Sequence, residues 1–295
     1  MKLSLCIPTN GISEWVFPCL ESIYASGTDE DKFEVVVTDN GSNADFHDLM
    51  EEYVKKHSNI IYARTNAYMF DNQLEALKLA TGDYFKFVNH RSLFLDGRLE
   101  EMILFLEKHE KDKPVIFFAN GAMGWGPVYE NLDTFDLFVR KLGVFATWTS
   151  GVGIWREDYI KLPPTFSYDK ISPHSSILFA ERKKGKYIIN DRYWSKEIET
   201  DHSKKGKYDL FKAFSLDEFI ITINLYRDGD ITAETLKCVK NSFRDFLENL
   251  YCDFILRGIP CSYDLTGFEI YTDIFFDKNE IIEGGKRKYS ERKNA

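Results

Sequence analysis

Phe33-Glu34-Val35-Val36-Val37-Thr38-Asp39-Asn40-Gly41-Ser42 decides the fold. Three consecutive β-branched residues, Val35, Val36 and Val37, favour an extended strand that is apolar on both faces. Asp39, Asn40, Gly41 and Ser42 then form a turn cluster that stops it. Upstream, Leu3–Ile7 is a second short apolar run, ended by Pro8. Between the two, Trp15, Val16, Cys19, Leu20 and Ile23 recur at helical spacing, with Ser13 placed as an N-cap. Downstream, Phe46, Leu49, Met50, Tyr53 and Val54 mark a helix and Ile60–Tyr62 a third strand. Asp71 is placed to cap a helix carrying Leu74, Leu77 and Ala80; Gly82 ends it, and Tyr84–Val88 is the fourth strand. Leu99, Met102, Ile103, Phe105 and Leu106 give another helix before a fifth strand, Val115–Phe118. Alternating strands and helices imply an α/β fold with a mostly parallel sheet covered on both faces. Ligands of such sheets bind beyond the carboxyl ends of the strands. Those ends are Pro8-Thr9-Asn10, Asp39-Asn40-Gly41 and Asn89-His90-Arg91.

The chain has 295 residues, 44% hydrophobic, with 38 Lys and Arg against 47 Asp and Glu, a net charge of −9. That apolar content excludes a disordered chain, and the acidic balance argues against a general nucleic-acid binder. Aromatics are in excess, with 24 Phe, 16 Tyr and 5 Trp. Most belong in a core; the surplus suits a sugar- or base-stacking pocket. The five cysteines, Cys6, Cys19, Cys238, Cys252 and Cys261, are odd in number and show no C-x-x-C spacing. A reducing, cytoplasmic compartment is expected. Met1–Pro8 is too short an apolar run for a signal peptide, and no run of ~18 apolar residues is present for a membrane span.

Residues 120–205 are less regular and rich in Gly, Pro and Trp. From about 209 the pattern turns helical, over Leu210–Tyr226 and Thr232–Leu256. The simplest partition is a ligand-binding α/β domain over 1–205 and a helical region with a basic tail over 206–295. The tail, with Lys286, Arg287, Lys288, Arg292 and Lys293, reads as a frayed, solvated end. Its charge would support at most peripheral contact with the inner face of a membrane. The apolar helices could pack on the first domain or form a homo-oligomer face.

Ser4-Leu5-Cys6-Ile7-Pro8-Thr9-Asn10, Glu14, and Cys19-Leu20-Glu21-Ser22-Ile23 resemble the opening of family 2 glycosyltransferases. Phe33–Ser42 resembles their second strand with its acidic turn. Asn66, Asn72, Ala80-Thr81-Gly82-Asp83-Tyr84 and Ser150-Gly151-Val152-Gly153-Ile154-Trp155-Arg156 follow in the family's order over about residues 3–200. The resemblance implies a GT-A fold and an inverting transfer of sugar from a nucleotide-sugar, UDP-linked, to a glycan or lipid-linked glycan hydroxyl, in building a surface or secreted polysaccharide. It places Pro8, Thr9, Asn10, Glu14, Asp39, Asn40, Asn66, Asn72, Asn89 and His90 on the donor side. Trp125, Trp148, Ser150 and Gly151 fall on the acceptor side, where Trp194 also offers a ring.

The family's Asp-x-Asp motif after the fourth strand, which holds a divalent cation, is replaced here by Asn89-His90-Arg91. Without a carboxylate, Mg or Mn has little to bind it, and the reading requires no metal. Three explanations stand. Arg91 supplies the positive charge, its fork suiting a phosphate; or the basic loops Arg182–Lys186 and Lys204–Lys207 supply it; or the site is silent and the chain is a glycan-binding or partner module. Arg91 could also pair with Asp39 or Asp96. The general base of the transfer is sought in Tyr168–His174, at Asp169 or His174, with Asp191 and Asp201 as more distant options. A sugar-nucleotidyltransferase is disfavoured, because no glycine- and lysine-rich loop stands at Pro8–Glu14. P-loop, dinucleotide-binding, serine-hydrolase and H-E-x-x-H zinc motifs are absent.

Overall fold

The computed structural model describes residues 1–198 and 203–294, the side chain of residue 294 excepted. In chain order the first elements are β1 (Leu3–Thr9), α1 (Ser13–Tyr24), β2 (Phe33–Asp39), α2 (Ala44–Tyr53), β3 (Ile60–Arg64), α3 (Asn72–Leu79) and β4 (Tyr84–Phe87). Then follow β5 (Ser92–Phe94), α4 (Arg98–His109), β6 (Val115–Phe118), β7 (Tyr129–Leu132), α5 (Phe135–Leu142), β8 (Gly153–Trp155), α6 (Arg156–Lys161), α7 (Pro173–Leu178), β9 (Tyr187–Asn190) and β10 (Ser195–Glu197). The last are α8 (Leu210–Lys212), α9 (Glu218–Arg227), α10 (Ala233–Leu250), α11 (Gly267–Phe275) and α12 (Lys278–Asn294).

Two compact units result: Met1–Thr134 with Phe145–Ile198, and Phe135–Val144 with Glu199–Ala295. The second unit therefore takes in α5 as well as the C-terminal helices, and no single boundary near residue 205 divides them.

In the first unit the main sheet has the order β3-β2-β1-β4-β8. β1 pairs in parallel with β2 and with β4, and β8 closes the edge antiparallel. Leu3, Leu5, Cys6 and Ile7 are all fully buried, as a central strand covered on both faces requires. The strand order reverses between β1 and β4, which sets a crevice at their carboxyl ends. Val115–Phe118 does not extend this sheet as expected. It lies in a separate three-stranded sheet, order β6-β9-β7. Sequence periodicity identifies a buried strand but not its neighbour. Two expected caps are also different: Ser13 is already the first helical residue of α1, and Asp71 stands at the cap of α3 without a capping hydrogen bond.

At the amino ends of the strands, Glu34 is 3% exposed yet fully served. It accepts from Ser4 Oγ at 2.6 Å, from Thr81 N and Oγ1 at 2.6 Å each, and from Gly82 N at 3.2 Å, with Lys2 Nζ at 3.4 Å. Burial alone would raise its pKa, but the Ser4 and Thr81 hydrogen bonds and the Lys2 charge outweigh it and hold the carboxyl below the usual range. One carboxylate thus ties β1, β2 and the turn into β4.

In the second unit, Phe135, Phe138, Val139 and Leu142 bury one face of α5 at helical spacing. Arg140 joins α5 to α10, through Thr235 at 2.9 Å and Glu234 at 3.0 Å. The helix expected over Leu210–Tyr226 contains a π-helical stretch, Ala213–Asp217, between α8 and α9; a second, Tyr251–Leu256, follows α10. The basic tail is not a frayed end. It is α12, packed on α10 where Gly284 and Gly285 face Glu248 and Tyr251. Arg287 reaches Glu248 at 3.1 Å, Lys288 reaches Asp245 at 2.6 Å, and Arg292 pairs with Asp253. Among the described residues, no helix is long and apolar enough to cross a membrane.

Replacing Glu34 by Gln should cost about 2 kcal/mol, because it discards hydrogen bonds to a charged acceptor and turns an NH₂ toward donors. Glu34 contributes its stability above the ordinary carboxyl range and loses it as pH falls through its depressed folded pKa. Denaturant melts of Glu34→Gln should therefore show lower stability at neutral pH and a shallower decline below about pH 4.

Candidate functional site

Three turns meet at the carboxyl ends of β1, β2 and β4. The first two touch through backbone: a Cβ on Gly41 would stand 2.1 Å from the Asn10 carbonyl oxygen. Asn72, 2% exposed, donates its amide to the carbonyls of Thr9 at 3.1 Å and Thr38 at 2.8 Å, and accepts from Thr65 Oγ1 at 2.9 Å. It braces the strand ends rather than facing the crevice. Asp39 is 1% exposed; one oxygen accepts from Gly41 N at 2.8 Å and the other from Tyr62 OH at 3.3 Å. His47 Nε2 lies 3.0 Å from that second oxygen, off the line of a good hydrogen bond. Neither Tyr62 nor His47 carried a signal in the sequence, since both lie on elements read only for their apolar pattern. The Asn40 amide holds the carbonyls of Ala67 and Met69, at 3.0 and 3.1 Å. Asn10, Glu14 and Asn66 are exposed, and Pro8 is partly buried.

The third turn carries Asn89-His90-Arg91. His90 Nδ1 lies 2.8 Å from Thr9 Oγ1, and its ring meets Trp15 edge-on at 5.1 Å. Burial and the Arg91 charge push its pKa down to about 3, so it is neutral at working pH. Asn89 Oδ1 accepts from Arg91 N at 3.1 Å and from Arg91 Nε at 3.4 Å. The Arg91 guanidinium carbon lies 5.4 Å from the Trp15 ring centroid, and one terminal nitrogen is 3.9 Å from Glu197. Its partner is thus Glu197, not Asp39 or Asp96. These donors do not fit a hard cation: Asn89 Oδ1 is committed to Arg91, His90 Nδ1 to Thr9, and a fixed guanidinium stands beside them. Among the described residues no group of three His, Cys, Asp or Glu could hold a metal.

The alternative basic loop is already engaged, with Lys184 paired to Asp158 and Lys186 3.2 Å from Asp112. In the other loop, Lys205 offers its carbonyl to Ser262 Oγ.

Of the residues expected on the acceptor side, Ser150 accepts at Oγ from Asn89 N at 3.2 Å, which joins its segment to the third turn. Trp148 and Ser150 line a water-sized cavity of about 20 Å³ with Lys86, Asn120 and Trp194. Trp194 is 3% exposed and packs on Phe118, so it is core and not a free stacking face. Trp125 is half-buried, its backbone N–H bonded to Asp191 at 2.8 Å. Gly151 is required by packing, since a Cβ there would stand 2.2 Å from the Phe117 ring.

The two nearest base candidates separate. His174 is 4% exposed, not a surface residue. Its Nε2 lies 2.8 Å from the Thr147 carbonyl, which fixes the proton there. Nδ1 faces the Gln73 amide at 3.2 Å and Thr149 Oγ1 at 3.4 Å. Burial pushes its pKa down to about 4, against the smaller opposing effects of the Thr147 bond and Asp169. A group so placed is a weak base without access to an acceptor hydroxyl. Asp169 is half-buried; Oδ1 accepts from Ile171 N and Ser172 N at 2.8 Å each, which leaves Oδ2 available. Asp191 is fully buried and accepts from Met123 N and Trp125 N, so it shapes a loop. Asp201 lies outside the described residues.

Comparison with known proteins places this geometry. Residues 4–159 match the family described as Glycosyl transferase family 2. The minor teichoic acid biosynthesis protein GgaB of Bacillus subtilis (strain 168) is 24% identical over 127 residues, 41% of this chain and 14% of that protein. S. aureus TarS 1–349 in complex with UDP-GlcNAc superposes with a TM-score of 0.57 at 16% identity, over 96% of this chain and 79% of that one. The longer TarS structure gives 0.55 at 13%, and this chain spans 54% of it. The mannosyltransferase PcManGT from Pyrobaculum calidifontis, in complex with GDP-Man and Mn2+, gives 0.52 at 13%, over 98% and 86%. At these identities the structures establish the GT-A fold.

The unfolded chain charges His174 near its ordinary 6.5, while the folded chain does so only near 4. Stability is therefore lost as pH falls from about 6.5 to 4, by on the order of 3 kcal/mol. Melts of His174→Gln across that range should show a flatter acid limb than the wild type.

Proposed function

Because the chain belongs to glycosyl transferase family 2, we propose that it moves a sugar from a uridine-diphosphate donor to a hydroxyl of a teichoic-acid-type surface glycan. The donor class is supported by the UDP-GlcNAc bound to TarS, and the glycan class by the name of GgaB. The observation that carries the reading is Arg91, fixed at its base by Asn89 and Trp15 with its fork at the carboxyl end of β4. In a GT-A crevice that is where a leaving diphosphate gathers charge.

The reaction is a direct displacement with inversion. Asp169 Oδ2 takes the proton of the acceptor hydroxyl, whose oxygen attacks the anomeric carbon. The bond to the diphosphate breaks, and Arg91 stabilises the released negative charge. Asp39, Thr9 and the Asn40 turn border the nucleoside, and Trp148 and Ser150 the acceptor. The transfer proceeds without a divalent cation, because guanidinium replaces it. The free thiols support a cytoplasmic site of action.

UDP should bind in calorimetry with 5 mM-scale EDTA present, on the order of the same affinity as with manganese. Arg91→Ala should weaken UDP binding at least about tenfold, the usual scale for a charge-assisted phosphate contact. Turnover abolished by EDTA and restored by manganese would overturn the metal-independent mechanism. Absence of UDP binding would instead favour a catalytically silent, glycan-binding module.

A further inference from the structure

Lys86 is a charged residue in the middle of a central strand. Its side chain is 3% exposed, and Phe118 supplies a ring face 5.1 Å from Nζ. Among the described residues, both of its hydrogen bonds go to carbonyls: to Phe87 O at 2.8 Å, and to Ser150 O. Burying an ammonium without a carboxylate is costly, and an apolar side chain would fill this surrounding at no such cost. Desolvation accordingly lowers its pKa to about 7. The sequence alone did not single out Lys86, since one lysine in a strand reads as an outward-facing residue.

What the ammonium holds is informative. Ser150 offers its carbonyl to Lys86 and its Oγ to Asn89 N at 3.2 Å. Asn89 in turn fixes Arg91 through Oδ1, at its backbone N and its Nε. Lys86, Ser150, Asn89 and Arg91 are therefore one continuous chain of hydrogen bonds, running from inside β4 to the guanidinium fork. Such networks orient the group at their end, and each member matters through the next. The carbonyl that Lys86 grips belongs to the acceptor-side segment, so the same contact fixes the spacing between the two halves of the crevice.

We propose that Lys86 is a positioning residue for the donor diphosphate, acting through Ser150 and Asn89 to aim the Arg91 guanidinium. This rests on reading Arg91 as the diphosphate ligand. A Lys86 that only filled space would affect fold stability and every ligand alike. A Lys86 that aims Arg91 affects diphosphate recognition specifically, and only while Arg91 is present.

Calorimetry on the full chain separates these, with UDP and uridine as probes and with Lys86→Met, Arg91→Ala and the double variant. UDP affinity should fall about tenfold in Lys86→Met, and the double variant should bind no more weakly than Arg91→Ala. Uridine affinity should be unchanged in Lys86→Met. Should Lys86→Met fail to fold, Ser150→Ala cuts the same chain at the next link and is expected to show the same UDP-specific, non-additive loss. If Arg91→Ala weakens UDP while Lys86→Met does not, or if the two losses multiply, the positioning role is overturned and the Arg91 reading survives. If Arg91→Ala binds UDP as tightly as the wild type, the diphosphate reading falls and the positioning role with it.

Discussion

Two carbonyls at the ends of adjacent parallel strands are held by one side-chain amide, that of Asn72. A parallel ladder stops where the strands part; the Thr9 carbonyl takes its last rung from Asn40 N at 3.1 Å, and a further donor to it and one to the Thr38 carbonyl come from outside the ladder. Asn72 supplies both from the start of α3, so this helix docks at the place where the ladder ends. With β1 and β2 fixed, the Asp39 turn can reach back to the first turn and Asn40 can reach forward to hold residues 67–69. The crevice is thus built on backbone kept in register by a buried polar group. At the opposite end of the sheet Glu34 performs the matching task, joining β1 and β2 to the turn before β4.

The charge arrangement follows from the same economy of groups. His90 is kept neutral by burial and by Arg91, so the turn after β4 carries one positive charge and not two. Guanidinium suits that place. It stays protonated at any working pH, is weakly hydrated, and stacks on an aromatic face such as Trp15 while its fork remains directed. A divalent ion would bring more charge but needs anionic ligands, which this turn does not offer. Glu197, at 3.9 Å on β10, restrains the fork from one side.

Much of the fold was legible because its strands are buried on both faces. Val35, Val36 and Val37 have no reading but a strand, and the turn at Asp39 follows directly. The partnership of Val115–Phe118 was not legible, because strand order depends on crossovers that leave no local trace. Candidate positions at the strand ends were found, but their roles divided on burial. His174 stands at a helix start as a candidate base, yet Thr147 and Gln73 enclose it. The same limit applies to Arg287, Lys288 and Arg292, whose acidic partners lie 39, 43 and 39 residues away in sequence yet adjacent in space. Lys86 was invisible for the converse reason: its partners are carbonyls, and every residue has one.

The contact between Gly41 and the Asn10 carbonyl limits how this crevice could change over evolution. Backbone touching backbone admits no side chain larger than hydrogen, so the inner wall formed by those turns is closed to substitution. Drift in ligand preference would have to accumulate on outward-facing neighbours, such as Asn10 and the 77%-exposed Tyr68 on the segment that Asn40 pins. The frame would be inherited almost unchanged while its rim diverged, which is how proteins sharing a fold come to share so few residues.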